Sequence, residues 1–379
     1  IALGTMLGKM LAESGGADRI ALTISNVAGR RRVDWAMMLI GLLSGLPAFF
    51  EVGFVLLIPL AFVLAERTDT PLLRVALPMG AALSVTHALI PPHPAALLAV
   101  IAYHANIGRT ILLGIVIGTP IAIIAGPLFG RFASARVIPV GVNPLAKQFV
   151  SSKPPTSLPG FGITVFTILS PVMLMLIGSV ADRITTPHSG PSTVLHFIGN
   201  TDIALLLATI LSFYVLGQAR GFSRETILRF TNECLGPTAL IMLLIGAGGG
   251  FGRVLVDSGV SKSITDAALG AHMPLLILAW MLAAIVRIAC GSATVAMATA
   301  SGIVAPILAS STGVSPELMV LVTGAGSVAF GPMNDAGFWQ IKEYLGLTVP
   351  QTIKTWSALE TLIAVCGLVF CLIASIFVH

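Results

Sequence analysis

Four apolar stretches of this chain run on after their pattern has been interrupted. Residues 35–65 and 275–309 are almost unbroken in apolar side chains, yet each is breached near its middle, by SGLPAFFE (44–51) and by RIACGSAT (287–294). Residues 72–105 and 318–344 are breached in the same way, by VTHALIPPHPAA (85–96) and by FGPMNDAGFW (330–339). A helix needs about 20 apolar residues to cross a bilayer. The first pair is therefore expected to fold as re-entrant helical hairpins, each with two arms too short to cross. The second pair reads as two discontinuous transmembrane helices. Unwound backbone at membrane depth is tolerated only where protein or a water-filled cavity satisfies its N–H and C=O groups. Further apolar helices are expected over 107–132, 161–180, 203–217, 237–256 and 355–378.

The order of these parts repeats. LGKMLAESG (7–15) matches FGRVLVDSG (251–259) at an offset of 244, and at that offset Ile20 meets Ile264 and Pro47 meets Gly291. Ser84 and Val85 meet Ser327 and Val328 one register away. The pattern predicts a first repeat over 1–133, a Pro- and Ser-rich cytoplasmic linker over 134–160 and a second repeat over 161–379. Helix 203–217 precedes the second unit, and its counterpart would fall before residue 1, so the chain is expected to be N-terminally truncated.

Composition settles the class. Hydrophobic residues make up 56% and charged residues 10%, against about 25% charged in a soluble domain, and mean hydropathy is +0.97. The fold class is an all-α polytopic membrane protein. The net charge of +5 reads as loop bias, not as a nucleic-acid footprint. The basic loops 30–32, 131–153, 220–229 and 342–354 are placed in the cytoplasm, whereas 185–200 has no Lys or Arg. Tracing the chain on that basis gives the two repeats opposite orientations, the inverted symmetry of many secondary transporters; Arg109 and Lys262 fall on the wrong side. Residues 220–233 read as an interfacial helix. The four cysteines are isolated and read as packing residues.

A charge or ring nitrogen at membrane depth is costly and marks function by default. Glu51 and Asp335, each at a break, are candidates for the coupling proton. His87 and His93 flank the Pro91-Pro92 break and titrate near neutral pH; with Thr86 and Asn334 they are candidates for binding substrate. At the hairpin tips, Ser44 and Gly45 on one side and Gly291, Ser292 and Thr294 on the other sit where returning half-helices expose free N–H groups suited to an anion. Arg287 is the candidate carboxylate partner. His87 and His93 lack zinc-type spacing, so neither metal nor cofactor is expected. No nucleophile-base motif such as GxSxG appears, which argues against an intramembrane hydrolase, and no phosphate-binding loop supports a primary pump. A passive channel remains the competing reading.

GLPAFFEVGFVLLIPLAFVLA, GAALSVTHALIPPHP, RIACGSATVA, MNDAGFWQIKEYLGLTVPQTIKTWSALET and MLGKMLAESGGADRI together resemble the gluconate permease (gluconate:proton symporter) family, within the ion transporter superfamily. The resemblance covers essentially the whole chain. It implies import of gluconate or a related sugar acid with protons across the bacterial inner membrane. It also implies a fixed scaffold, a transport domain moving in elevator-like or rocking fashion, and a homodimer. GPMND, where Pro332 and Met333 precede the Asn-Asp pair, departs from the family pattern. That leaves open another small hydroxy or amino acid, such as glycerate or D-serine.

Overall fold

The computed structural model describes residues 2–28, 32–46, 49–139, 158–186, 189–233, 273–311 and 313–378, with a few single positions between 239 and 259. The expected helix 237–256, the second copy of the LGKMLAESG match, most of the linker, Cys234 and Lys262 lie largely or wholly outside them. The described residues are helical throughout, joined by short turns.

Two short helices open the chain, α1 (Ala2–Glu13) and α2 (Gly16–Ala28). Then α3 (Val33–Gly45) and α4 (Phe50–Thr68) divide the first long apolar run. The next run is α5 (Leu72–Leu89) and α6 (Pro94–Ala102). It stops where Pro91 and Pro92 remove two backbone donors and disfavour helical backbone before them. It restarts with His93 as N-cap and Pro94 in the first turn, where the missing N–H costs nothing. Long helices α7 (Ile107–Ser134), α8 (Phe161–Ser179) and α10 (Thr201–Arg220), with the short α9 (Gly190–Gly199), connect to a helix over 224–233, α11.

The later runs divide in the same way, into α12 (Leu275–Cys290) with α13 (Ala293–Ala309), and α14 (Pro316–Ser327) with α15 (Ala336–Leu345). The first turn is closed by Gly291 in the left-handed region (φ 73°), which a side chain disfavours, and Ser292 then caps α13. Phe330 (φ 68°) and Gly331 (φ 46°) take the chain out of α14, and Asp335 caps α15.

The final helix, α16 (Val349–Ala374), starts six residues earlier than the apolar pattern indicates. Thr348 and Gln351 form a reciprocal capping box with Pro350 in the first turn, and that local chemistry outweighs the polar look of residues 349–354.

Five helices are long and apolar enough to cross a membrane among the described residues, whereas α3, α12 and α13, with 13, 16 and 17 residues, fall short; α4, with 19 residues, is longer than the short arm expected there, because its helix runs on through Glu66 and Arg67. The α5–α6 span is 94% buried inside the protein, while the other four lie between 39% and 50%. It is the hub. α3 packs along α5, with Gly45 against Leu83 and Thr86. α14 crosses α5 so closely that a Cβ on Gly324 would collide with the Ala88 carbonyl oxygen. At the base of α3 the fully buried Asp34 accepts from Arg131 (2.5 Å) and Arg74 (3.4 Å), tying α3 to α7 and α5.

Candidate functional site

The helix breaks meet around one cavity of about 670 Å³, within the roughly 300–1,000 Å³ typical of small-molecule sites. The turn between α3 and α4 contributes Phe49, Phe50 and Glu51. The turn between α12 and α13 contributes Arg287 and the run from Cys290 to Val295. From the α14–α15 break come Val328, Asn334 and Asp335, and α5 supplies Ser84 and His87 just before its own break. α16 closes a wall with Trp356 and Glu360, while Lys9 and Glu233 stand at an outer edge, joined by a 2.8 Å ion pair.

Three helices, α4, α13 and α15, begin at this cavity, so their first N–H groups and partial positive charge are directed at it. The caps leave part of that donor set free. Ser292 Oγ accepts from Val295 N (3.4 Å), Asp335 Oδ1 accepts from Gly337 N (3.1 Å), and α4 has no side-chain cap. At the centre lies an ion pair between Arg287 Nη2 and Asp335 Oδ2 at 2.5 Å, with side chains only 4% and 11% exposed. The second guanidinium nitrogen donates to the Gly291 carbonyl, and Nε is buried with no hydrogen-bond partner among the described residues. Arg287 and Asp335 also act electrostatically on Glu51 and Glu360. Asn334 Nδ2 donates to the carbonyls of Ile288 (3.2 Å) and Ala289 (3.1 Å), pinning the α14–α15 break to the end of α12. Neither ring nitrogen of buried His87 has a hydrogen-bond partner among the described residues.

Eight of the twelve residues expected from the sequence therefore line the cavity: Glu51, His87, Arg287, Gly291, Ser292, Thr294, Asn334 and Asp335. The other four stand behind its wall. Ser44 and Gly45 are buried where α3 lies along α5, and Thr86 faces that interface and donates to the Ala82 carbonyl of its own helix (2.9 Å). His93 caps α6, its Nδ1 accepting from Ala95 N (3.4 Å), and its ring is tilted 46° against that of His87 with centroids 4.1 Å apart. Cys290, expected as packing, is exposed and lies in the cavity wall.

Sequence reasoning missed Ser84, Trp356, Glu360, Lys9 and Glu233. Glu360 carried a signal, as the one acidic side chain in the apolar stretch 355–378.

The model of the family described as GntP family permease matches residues 1–377. The chain belongs to the GntP permease family. It is a multi-pass membrane transporter, not an enzyme. It is 47% identical to the gluconate permease of Pseudomonas aeruginosa, over 99% of this chain and 84% of that one. The Gnt-II system L-idonate transporter of Escherichia coli is 41% identical, over 100% and 85% of the two chains. The E. coli D-serine transporter DsdX is 39% identical over 97% and 82%. Among solved structures, the YdaH transporter of Alcanivorax borkumensis, described as having an unusual topology, superposes with a TM-score of 0.70 at 18% identity over 98% and 84% of the chains. MtrF of Neisseria gonorrhoeae, described among antimetabolite efflux pumps, superposes with a TM-score of 0.71 at 16% identity over 100% and 81%. At those identities the likeness is one of fold. This GntP permease shares an architecture with transporters of distant sequence, so its substrate must be argued from its own cavity.

Proposed function

We propose that this GntP permease is a proton-coupled symporter that brings gluconate or a related sugar acid across the bacterial inner membrane. It is built as two oppositely oriented copies of one unit, each a re-entrant hairpin followed by a broken transmembrane helix. The repeated order α3–α4, α5–α6 and α12–α13, α14–α15 supports that reading, as does the place where the breaks meet. Paired interrupted helices in corresponding positions of two halves are the structural mark of a transporter's binding site.

The observation that carries the proposal is the charge balance around the cavity. Arg287 is its deep cation, and it is surrounded by three carboxyl groups, on Glu51, Asp335 and Glu360. A sugar-acid anion gains from the N–H groups of α4, α13 and α15 and from the positive charge of Arg287. It would nevertheless be repelled by three ionised carboxylates. Binding the anion becomes favourable when one of them is protonated, so anion and proton enter together. The Ser292 and Thr294 hydroxyls add donors for the carboxylate, and polyol hydroxyls find a partner in Asn334, all three in the cavity wall. L-idonate, in the name of one relative, is likewise a sugar acid, whereas D-serine, in the name of another, shares a carboxylate and a hydroxyl but adds an ammonium group.

Uptake of labelled gluconate, L-idonate and D-serine into proteoliposomes, with an inward proton gradient and then with a proton ionophore, tests this. The expected result is accumulation above the external concentration that collapses with the ionophore, strongest for a sugar acid. Equilibration to the same level with and without the gradient would mean a passive channel and refute symport.

A further inference from the structure

We propose that Glu360 is the group that carries the coupling proton, and that Asp335 is a fixed counter-ion which holds Arg287 in place. This deepens the symport reading and rests on it.

The three carboxyls around Arg287 are held differently. Asp335 is committed on both oxygens, to Arg287 and to the N–H of Gly337 that opens α15. Protonating it would break a buried ion pair and a helix cap together. Glu51 lies in the first turn of α4, where the helix N-terminus favours its charge. Glu360 has neither support. It sits mid-helix on α16, 1% exposed, and its hydrogen-bond partner is neutral: Ser84 Oγ of α5 at 2.6 Å. A hydroxyl can donate to the anion or accept from the acid, and the bond to the anion is the stronger, so Ser84 tolerates either form while weighting the balance between them. Trp356, one turn earlier on α16, is also 1% exposed, and its indole N–H is without a hydrogen-bond partner on the same side.

The groups facing Glu360 come from several elements. α12 presents Arg287, the head of α15 presents Asp335, and α5 presents Ser84 and His87. The charged residues of α14 and α7 stand away from it, Arg109 being exposed in the first turn of α7. Glu317 of α14 accepts from Ser315 and from the N–H of Asn106, and Arg131 of α7 pairs with Asp34. Arg287 is thus the cation within reach of Glu360, and it is already neutralised at contact distance by Asp335.

Position connects this group to movement. Glu360 bridges Ser84, six residues before the α5–α6 break, and Gly331 in the α14–α15 break, where a Cβ would stand 2.8 Å from Glu360 Cγ. A proton arriving from the external side bonds to a carboxylate oxygen of Glu360, removes one negative charge from the wall and leaves to the cytoplasm after the anion. Nothing else changes covalently. A charge that appears and disappears at the contact between both broken helices and α16 biases how those three elements pack.

The test is gluconate affinity of the purified full chain, measured by calorimetry from mildly acidic to mildly alkaline pH. With one linked proton, the wild-type affinity falls about tenfold per pH unit once that proton is lost. In Glu360→Gln the affinity is expected to become independent of pH. In Ser84→Ala, which removes the partner and leaves the carboxyl, the same slope is expected, displaced along the pH axis. A Glu360→Gln protein that keeps the wild-type slope overturns the assignment. If that variant does not fold, an undisplaced Ser84→Ala curve overturns it. Gradient-driven uptake by the wild type alongside a retained slope in Glu360→Gln would sink this assignment and leave symport standing. A wild type without gradient-driven uptake would sink symport itself.

Discussion

The ion pair at the centre of the cavity predicts an asymmetric double-mutant cycle. Arg287 and Asp335 are 2.5 Å apart with side chains 4% and 11% exposed. Removing one member of such a buried pair costs about 3–5 kcal/mol, because the remaining charge is left without compensation. The two single substitutions are not equivalent here. Arg287→Met leaves Asp335 facing Glu51 and Glu360 with no cation between them, and belongs at the upper end of that range. Asp335→Asn keeps Arg287 within the field of Glu51 and Glu360 and bonded to the Gly291 carbonyl, so its cost falls to about 1–3 kcal/mol, the scale of a lost hydrogen bond to a charged group. The double substitution should cost less than the sum of the singles by about 1–3 kcal/mol, the coupling expected of residues in one network. Unfolding of the four proteins by sodium dodecyl sulfate in mixed micelles measures all three numbers. Additive losses would refute a functioning ion pair. Equal losses for the two singles would put Glu51 and Glu360 outside the reach of Arg287, and the charge argument for coupling would fail with them.

Two further outcomes follow from the second turn. Gly291→Ala forces a side chain into left-handed backbone, at a cost of about 1–2 kcal/mol, and sets its Cβ 2.7 Å from the Asn334 carbonyl carbon. It should abolish uptake while Ala289→Ser, two residues earlier in the last turn of α12, does not; wild-type transport by Gly291→Ala would show that the tip is not pressed against the α14–α15 break. Ser292→Ala combined with Thr294→Val should weaken binding of gluconate by about tenfold or more, the effect of about 1–2 lost hydrogen bonds to a charged group, and bind an uncharged polyol with a smaller loss. Equal losses for the anion and the polyol would assign those hydroxyls to hydrogen bonding alone and remove them from carboxylate recognition.

The breaks were legible because they are local chemistry. Pro91 and Pro92 forbid continuation, Gly291 permits a reversal, and Ser292 and Asp335 cap the helix that follows. None of this depends on what packs nearby. What could not be read was which side of an intact helix faces the hollow. Thr86 and His87 are adjacent in sequence and about 100° apart around the axis, and only His87 reaches the cavity. The packing of α3 along α5 decides that rotation, and it takes Ser44, Gly45 and Thr86 out of the site. Helical spacing then recovers residues the pattern passed over. Ser84 lies three before His87 and Trp356 four before Glu360, the separations that share a face, so placing one member of each pair in the cavity predicts the other. The two kinds of backbone also divide the work. Unwound segments, where N–H groups are free, supply what an anion needs. The carboxyl that exchanges a proton sits inside a continuous helical span, away from the unwound segments and their free N–H groups. A transporter that must bind an anion firmly and a proton reversibly gains by keeping the two on different kinds of backbone, and Glu360 beside Ser84 is where this chain can do so.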